Sequence, residues 1–301
     1  MNCFILGPAR SGSAFLNYLL SQHPEISSSS IKEPSFFNLD SNFNQGNKFY
    51  STFFDNNNLL RVDASHRYFY LPYVAERIYK FNKKAKFIII LRNPIERCVS
   101  HYYYYYSRNI ETLSFENAIK HDLNRIKHGP YFDSYQKYHN YKINFKCKPN
   151  EDYFRTYVDS GLIYNQLMNF TRFFDISSFH FVNFDNMINN PIQILNGVTN
   201  FLNISDYPNY KLPHTNNESR NIYIARFIQY AISCDMRFKK YTPQFIKKLF
   251  IAILSSLSRN LLPNPTKKII LENMSLIKRI KSIYRKDISL LKKNFDININ
   301  F

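Results

Sequence analysis

Residues 5–16 read ILGPARSGSAFL. They set Gly7 and Gly12 at the spacing of the phosphate-binding pattern G-x-x-x-x-G-K-[ST], between an apolar run of strand length (CFILG, 3–7) and a helical pattern over 13–22. A glycine-bearing turn of this kind points several backbone N–H groups at one spot, where the helix dipole also favours an anion. The two residues that fit the common loop to a magnesium nucleotide are missing. Ser13 stands at the lysine place and Ala14 at the place of the Mg²⁺-binding hydroxyl, while Arg10 brings a cation two places ahead of the second glycine. The stretch therefore predicts an anion site, built from Arg10, Ser11, Gly12, Ser13 and Ala14, for a phosphate compound that reacts without a metal.

Working outward, KFIIIL (86–91) and FHFVNF (179–184) are, like 3–7, apolar without alternation. That suits strands buried on both faces of a parallel sheet. LLRVD (59–63) is a weaker fourth strand. Helical patterns fall at 72–82, 94–107, 114–127, 157–174 and 191–202, and Asn93-Pro94 and Asn190-Pro191 read as a cap followed by a first-turn proline. Strands alternating with helices predict a doubly wound α/β sheet. The stretch 128–152 has no sustained periodicity and reads as an irregular, substrate-facing excursion whose basic residues (Lys137, Lys142, Lys146, Lys148) suggest an acidic glycan, with a lipid, a small phenol or a tyrosyl protein as the alternatives. A single domain over 1–301 is expected, with a core to about 221 and a mostly helical, basic part over 222–301.

A second signal follows the 86–91 strand. Arg92 stands at its C-terminal end, where ligands of open α/β sheets bind, and Ser100 lies on the helix opened by Pro94, with Arg97 three residues earlier. A guanidinium and a hydroxyl so placed can hold a second phosphate.

With both motifs in place, the chain resembles the sulfotransferases that use 3'-phosphoadenosine 5'-phosphosulfate. The 5'-phosphosulfate loop of that family is similar to GPARSGSAFLNYLLSQHPEI (7–26), and its 3'-phosphate motif to LRNPIERCVSHY (91–102). KEPSFF (32–37) resembles a stretch of the glycosaminoglycan-type members, VDSGLIYNQL (158–167) and the run from 182 to 204 resemble a Gly-x-Tyr helix and a later strand, and LPHTNNESRN (212–221) a cofactor-covering loop of bacterial members. YRKDISLLKKNF (284–295) is similar to the closing helix. The resemblance implies a P-loop-NTPase-like three-layer sandwich with a central parallel sheet and a helical C-terminal extension. It implies sulfonate transfer to an acceptor hydroxyl, most plausibly of a carbohydrate, without metal. Cofactor-binding roles then fall to residues 10–14, Arg92, Ser100, Tyr164, Ser219 and Arg220. Arg10 is expected to stabilise the departing phosphate, and Glu33 to act as general base, with His66 its rival from the segment VDASHRY (62–68). There the family's lysine is replaced by Ala64; Lys32 or Arg67 is expected to supply that cation.

Composition sets the outer limits. The chain has 301 residues, a formal charge of +18 and a sequence pI near 9.6, which favours an anionic ligand, an acidic polymer or a peripheral membrane contact. Its four cysteines are scattered without a C-x-x-C pair, arguing against zinc and against a disulfide framework. No apolar run is long enough to span a bilayer, and the strand-like start leaves no room for a signal peptide, so a cytoplasmic setting is expected. Two other readings are a kinase or nucleotide hydrolase, disfavoured by Ser13 and Ala14, and a nucleic-acid or acidic-polymer binder, disfavoured because the basic residues are spread and no nucleic-acid module is recognised.

Overall fold

The computed structural model of the chain describes residues 2–55, 60–127, 134–144, 155–212 and 265–299. Five strands, β1 (Asn2–Leu6), β2 (Ile26–Ser28), β3 (Leu60–Asp63), β4 (Lys86–Leu91) and β5 (Phe179–Asn183), form one parallel sheet in the order β2-β3-β1-β4-β5. The helices are α1 (Ser13–Leu20), α2 (Asp40–Phe43), α3 (Gly46–Ser51), α4 (Arg67–Tyr70), α5 (Pro72–Phe81), α6 (Pro94–Tyr106), α7 (Phe115–Lys127), α8 (Tyr135–Asn144), α9 (Ile163–Thr171), α10 (Phe184–Asn189), α11 (Pro191–Leu202), α12 (Pro265–Glu272) and α13 (Met274–Phe295).

The unbroken apolar character of β1 and β4 has its reason in two cores. Phe4 and Leu6, with Phe87, Ile89 and Leu91, pack on one face against side chains of α5 and α9. Cys3 and Ile5, with Ile88 and Ile90, pack on the other against α1 and α11. Alternate residues serve opposite faces, so past Asn2 and Lys86 at the strand starts neither face leaves room for a polar position. A third apolar cluster joins α6, α7 and α13. The expected α/β sandwich is thus present, and the strand order places its switch point between β1 and β4.

Several local expectations change. The edge strand β2 is an addition: three residues, two of them serine, carry no periodic signal. Within the excursion, Tyr135–Asn144 is helical, anchored by Tyr138, which is 1% exposed. The helix read over 157–174 begins only at Ile163, because the preceding backbone is drawn to other partners: Val158 N–H donates to Asp122 (2.6 Å) and the Tyr157 carbonyl accepts from Arg97. Asn93 caps α6 as expected, its Oδ1 accepting from Ile95 N–H at 3.0 Å and Glu96 N–H at 3.2 Å. Asn190 does not cap α11 with its side chain, since its own N–H closes α10 on Asn186. Much of the basic part expected over 222–301 lies outside the described residues.

The first turn of α9 is capped from α13: Asp287 accepts from Ile163 N–H (2.9 Å) and Tyr164 N–H (3.0 Å). Asp287→Ala should therefore destabilise the protein by about 2 kcal/mol. Urea denaturation checks this; an unchanged midpoint would show that water replaces the cap.

Candidate functional site

The loops after β1 and β4 meet at the switch point, where open α/β sheets bind ligands. Gly7 passes so close to β4 that a Cβ there would stand 3.1 Å from the Ile90 carbonyl, at φ +142°. Gly12, at φ +93°, precedes α1, and a Cβ on it would lie 2.7 Å from Met187 Cε. Between them Arg10 adopts φ +73°, a left-handed conformation that costs a non-glycine residue energy. Its conformation is held from outside: Arg92 Nη1 donates to the Arg10 carbonyl at 2.7 Å, and Arg97 Nη1 donates to the Ala9 carbonyl at 3.3 Å.

The side chains converge as well. Arg10 Nε donates to Ser100 Oγ at 3.4 Å, and its guanidinium lies 4.6 Å from the centroid of the Tyr104 ring. Arg92 sits 4.2 Å from the centroid of Phe184. Burial pulls the pKa of Arg92 down to about 10, with Glu96 opposing and Arg10 adding to the fall, so it stays a cation at neutral pH. Ser11 is 1% exposed, and its Oγ and Arg92 Nε are buried without a partner. The first N–H groups of α1, those of Ser13 and Ala14, have no acceptor within the helix. Two guanidinium groups, buried donors and a helix N-terminus therefore share one corner, a composition matched to a multiply charged anion.

Across a cleft of about 570 Å³, whose lining includes Ser13, Ala14, Lys32 and Glu33, stands the carboxylate. Glu33 Oε2 is 2.9 Å from His66 Nδ1. The two residues that compete as base in the sequence are thus in contact. Burial pushes the Glu33 pKa up, but the hydrogen bond and charge of His66, with Lys32 and Arg67, outweigh it, and the net direction is down. Glu33 has φ +57° and Ser35 φ +53°, on either side of Pro34. This strained turn is fastened to β3 by a network that sequence reading missed. Asp63, wholly buried, accepts from Ser65 Oγ (2.8 Å), Tyr68 OH (3.0 Å) and Tyr50 OH (3.3 Å). Tyr68 OH in turn accepts from Phe36 N–H (2.9 Å), and Ser65 Oγ from Ser35 N–H (3.4 Å).

Comparison with known proteins fits this arrangement. The sequence model of the sulfotransferase domain matches residues 2–233. The chain belongs to the sulfotransferase family. It is 28% identical over 229 residues to heparan sulfate glucosamine 3-O-sulfotransferase 5 of Homo sapiens, an alignment covering 74% of this chain and 59% of that protein. It is 33% identical over 137 residues to the membrane-associated sulfotransferase kil1 of Dictyostelium discoideum, covering 42% of this chain and 29% of the other. In fold it matches a sulfotransferase from Alicyclobacillus acidocaldarius with a TM-score of 0.55 at 23% identity, covering 83% of this chain and 95% of that one. The chain spans 59% of the length of the human relative.

In this sulfotransferase-family chain the predicted residues 10–14, Arg92 and Ser100 come together at one corner, with Glu33 and His66 paired beside it. Tyr164 is placed differently: its ring lies 6.2 Å from Phe295 and packs on the α5/α9 core. Arg97 is 1% exposed and turns inward, away from the cleft. Ser219 and Arg220 lie outside the described residues. Asp63 has one signal in the sequence, hydroxyls at positions 65 and 68 after a strand-end aspartate.

Burial pushes the Asp63 pKa up to about 6, against the lowering effect of its three hydroxyl donors. A carboxyl raised in the folded state contributes stability that is present below its unfolded value near 3.9 and is lost as pH rises through about 6. Stability should therefore fall between pH 4 and pH 6 by about 3 kcal/mol from this group. In Asp63→Asn that slope should flatten in pH-dependent thermal unfolding; the same slope in both proteins would exclude Asp63 as its source.

Proposed function

We propose that the protein transfers the sulfonate group of 3'-phosphoadenosine 5'-phosphosulfate to a carbohydrate hydroxyl. The observation that carries this is one anion-binding corner, where Arg10, Arg92 and Ser100 meet at the start of α1, facing a paired carboxylate beside the cleft that Ser13, Ala14 and Glu33 line. On this reading the loop 7–14 receives the 5'-phosphosulfate end, and Arg92 and Ser100 receive the 3'-phosphate. The human relative, a heparan sulfate glucosamine 3-O-sulfotransferase, supports a sugar hydroxyl as acceptor.

The reaction is an in-line displacement, so the protein positions reactants and receives charge. The acceptor oxygen forms the new bond to sulfur while the bond from sulfur to the bridging phosphate oxygen breaks. Negative charge grows on that oxygen, where Arg10 and the N–H groups of α1 act on it without reorganising. The acceptor proton passes to the Glu33 carboxylate, which its low pKa keeps ionised. His66 holds one carboxylate oxygen and leaves the other for the acceptor.

The test begins with calorimetry of 3',5'-ADP, which should bind with loss of affinity in Arg92→Ala; absence of binding by the folded protein overturns the proposal. In an assay with radiolabelled donor, Arg10→Ala should lower kcat by roughly 10²–10³-fold. Glu33→Gln should abolish most turnover, and full activity there would move the base to His66.

His66→Ala removes the partner that depresses the Glu33 pKa, so the acid limb of the kcat/KM profile should move to higher pH. A variant that loses rate equally at every pH would show that His66 only shapes the turn.

A further inference from the structure

The cleft beside Glu33 carries information about what enters it. Its described lining holds one cation, Lys32, and two carboxylates, Glu33 and Asp55. The other polar lining groups are neutral, chiefly the hydroxyls of Ser27, Ser28 and Ser29 on and after β2. Two polar atoms of the lining, Asn17 Oδ1 and Ser28 Oγ, are buried without a hydrogen-bond partner, a cost that a ligand hydroxyl would remove. Two large side chains of the same lining stay open to solvent, Tyr18 at 46% and Ile31 at 53% exposure. An aromatic face and a branched aliphatic group at a cleft mouth match the apolar face of a pyranose ring.

Resting on the sulfonate-transfer reading above, we infer that the acceptor is an uncharged, hydroxyl-rich molecule of the neutral oligosaccharide class, not a polyanionic chain. The cations of Arg10 and Arg92 are committed to the donor corner. Among the described lining residues an acidic polymer would set its charges against Glu33 and Asp55 with only Lys32 to offset them, an arrangement that costs binding energy. Lys137 sits on α8, away from the cleft lining, and Lys142, Lys146 and Lys148 lie outside the described side chains.

The experiment is calorimetry on the full chain saturated with 3',5'-ADP, titrated with cello-, malto- and chito-oligosaccharides and, in parallel, with heparosan and N-sulfated heparosan oligosaccharides of equal length. At least one neutral series should bind, and the polyanions should bind tenfold or more weakly. Tighter polyanion binding overturns the inference, and so does binding of 3',5'-ADP with no neutral series binding. Should 3',5'-ADP itself fail to bind, the donor reading fails and the inference falls with it. With a bound neutral acceptor in hand, Asn17→Ala should raise KM roughly three- to tenfold, with the effect in KM rather than kcat. Asp55→Lys should strengthen polyanion binding several-fold; a polyanion indifferent to Asp55→Lys would show that cleft charge does not select the acceptor.

Discussion

A single buried guanidinium ties the site to the rest of the molecule. Arg97 is 1% exposed and has no carboxylate partner among the described residues; its two terminal nitrogens donate to oxygen atoms of separate segments. They reach the Ala9 carbonyl in the first loop, the Tyr157 carbonyl and Ser160 Oγ (3.3 Å) ahead of α9, and Tyr284 OH (3.2 Å) on α13. Tyr284 OH then donates to the Val158 carbonyl at 2.9 Å. A cation taken out of water is tolerable only when such dipoles surround it, so these segments must hold their places together. The anion loop therefore inherits rigidity from helices far along the chain, and the C-terminal helix is part of the site's support.

That rigidity explains where the chain accepts strained backbone. Arg10 and Glu33, the two residues assigned to leaving-group charge and to the acceptor proton, both have left-handed φ. Such conformations persist only when the surroundings over-determine them. Arg92 and Arg97 grip the first turn through carbonyls, and Asp63 grips the second through Ser65 and Tyr68. The two supports differ in kind. One uses cations that also prepare the site for an anion, the other a buried carboxylate whose hydroxyl partners pass the hold on to backbone N–H groups of residues 35–37.

What the sequence discloses divides along the same line. β1, β4 and the anion loop are legible because each rests on local pattern, an apolar run or a glycine spacing. β2 is not, because its three residues belong to the sheet only through pairing with β3. The contact of Glu33 with His66 joins turns that follow different strands, and it becomes visible only once the sheet order sets β2 beside β3. Asp63 escapes notice for a related reason: a strand-end aspartate signals a salt bridge, whereas its partners here are hydroxyls. The helix over 135–144 was hidden by its Tyr and Asn content, since tertiary packing of Tyr138, not intrinsic propensity, anchors it.

The charge of the chain must be read locally for the same reason. A formal +18 invites an acidic acceptor, yet much of the described positive charge sits on the solvent face of α13, where Lys278, Arg279, Arg285, Lys286, Lys292 and Lys293 are all exposed. None of these six residues is among the residues that line the cleft. Inside, Arg10 and Arg92 cluster where the donor's phosphates are proposed to lie, and the described lining of the cleft proposed for the acceptor holds Lys32 against Glu33 and Asp55. On the proposed mechanism, separating the two ends in this way keeps Glu33, the proposed base, ionised without drawing it into an ion pair with Arg10. Glu33 pairs instead with His66, whose bond to Oε2 fixes the carboxylate and leaves its second oxygen for the acceptor proton that the proposed mechanism delivers.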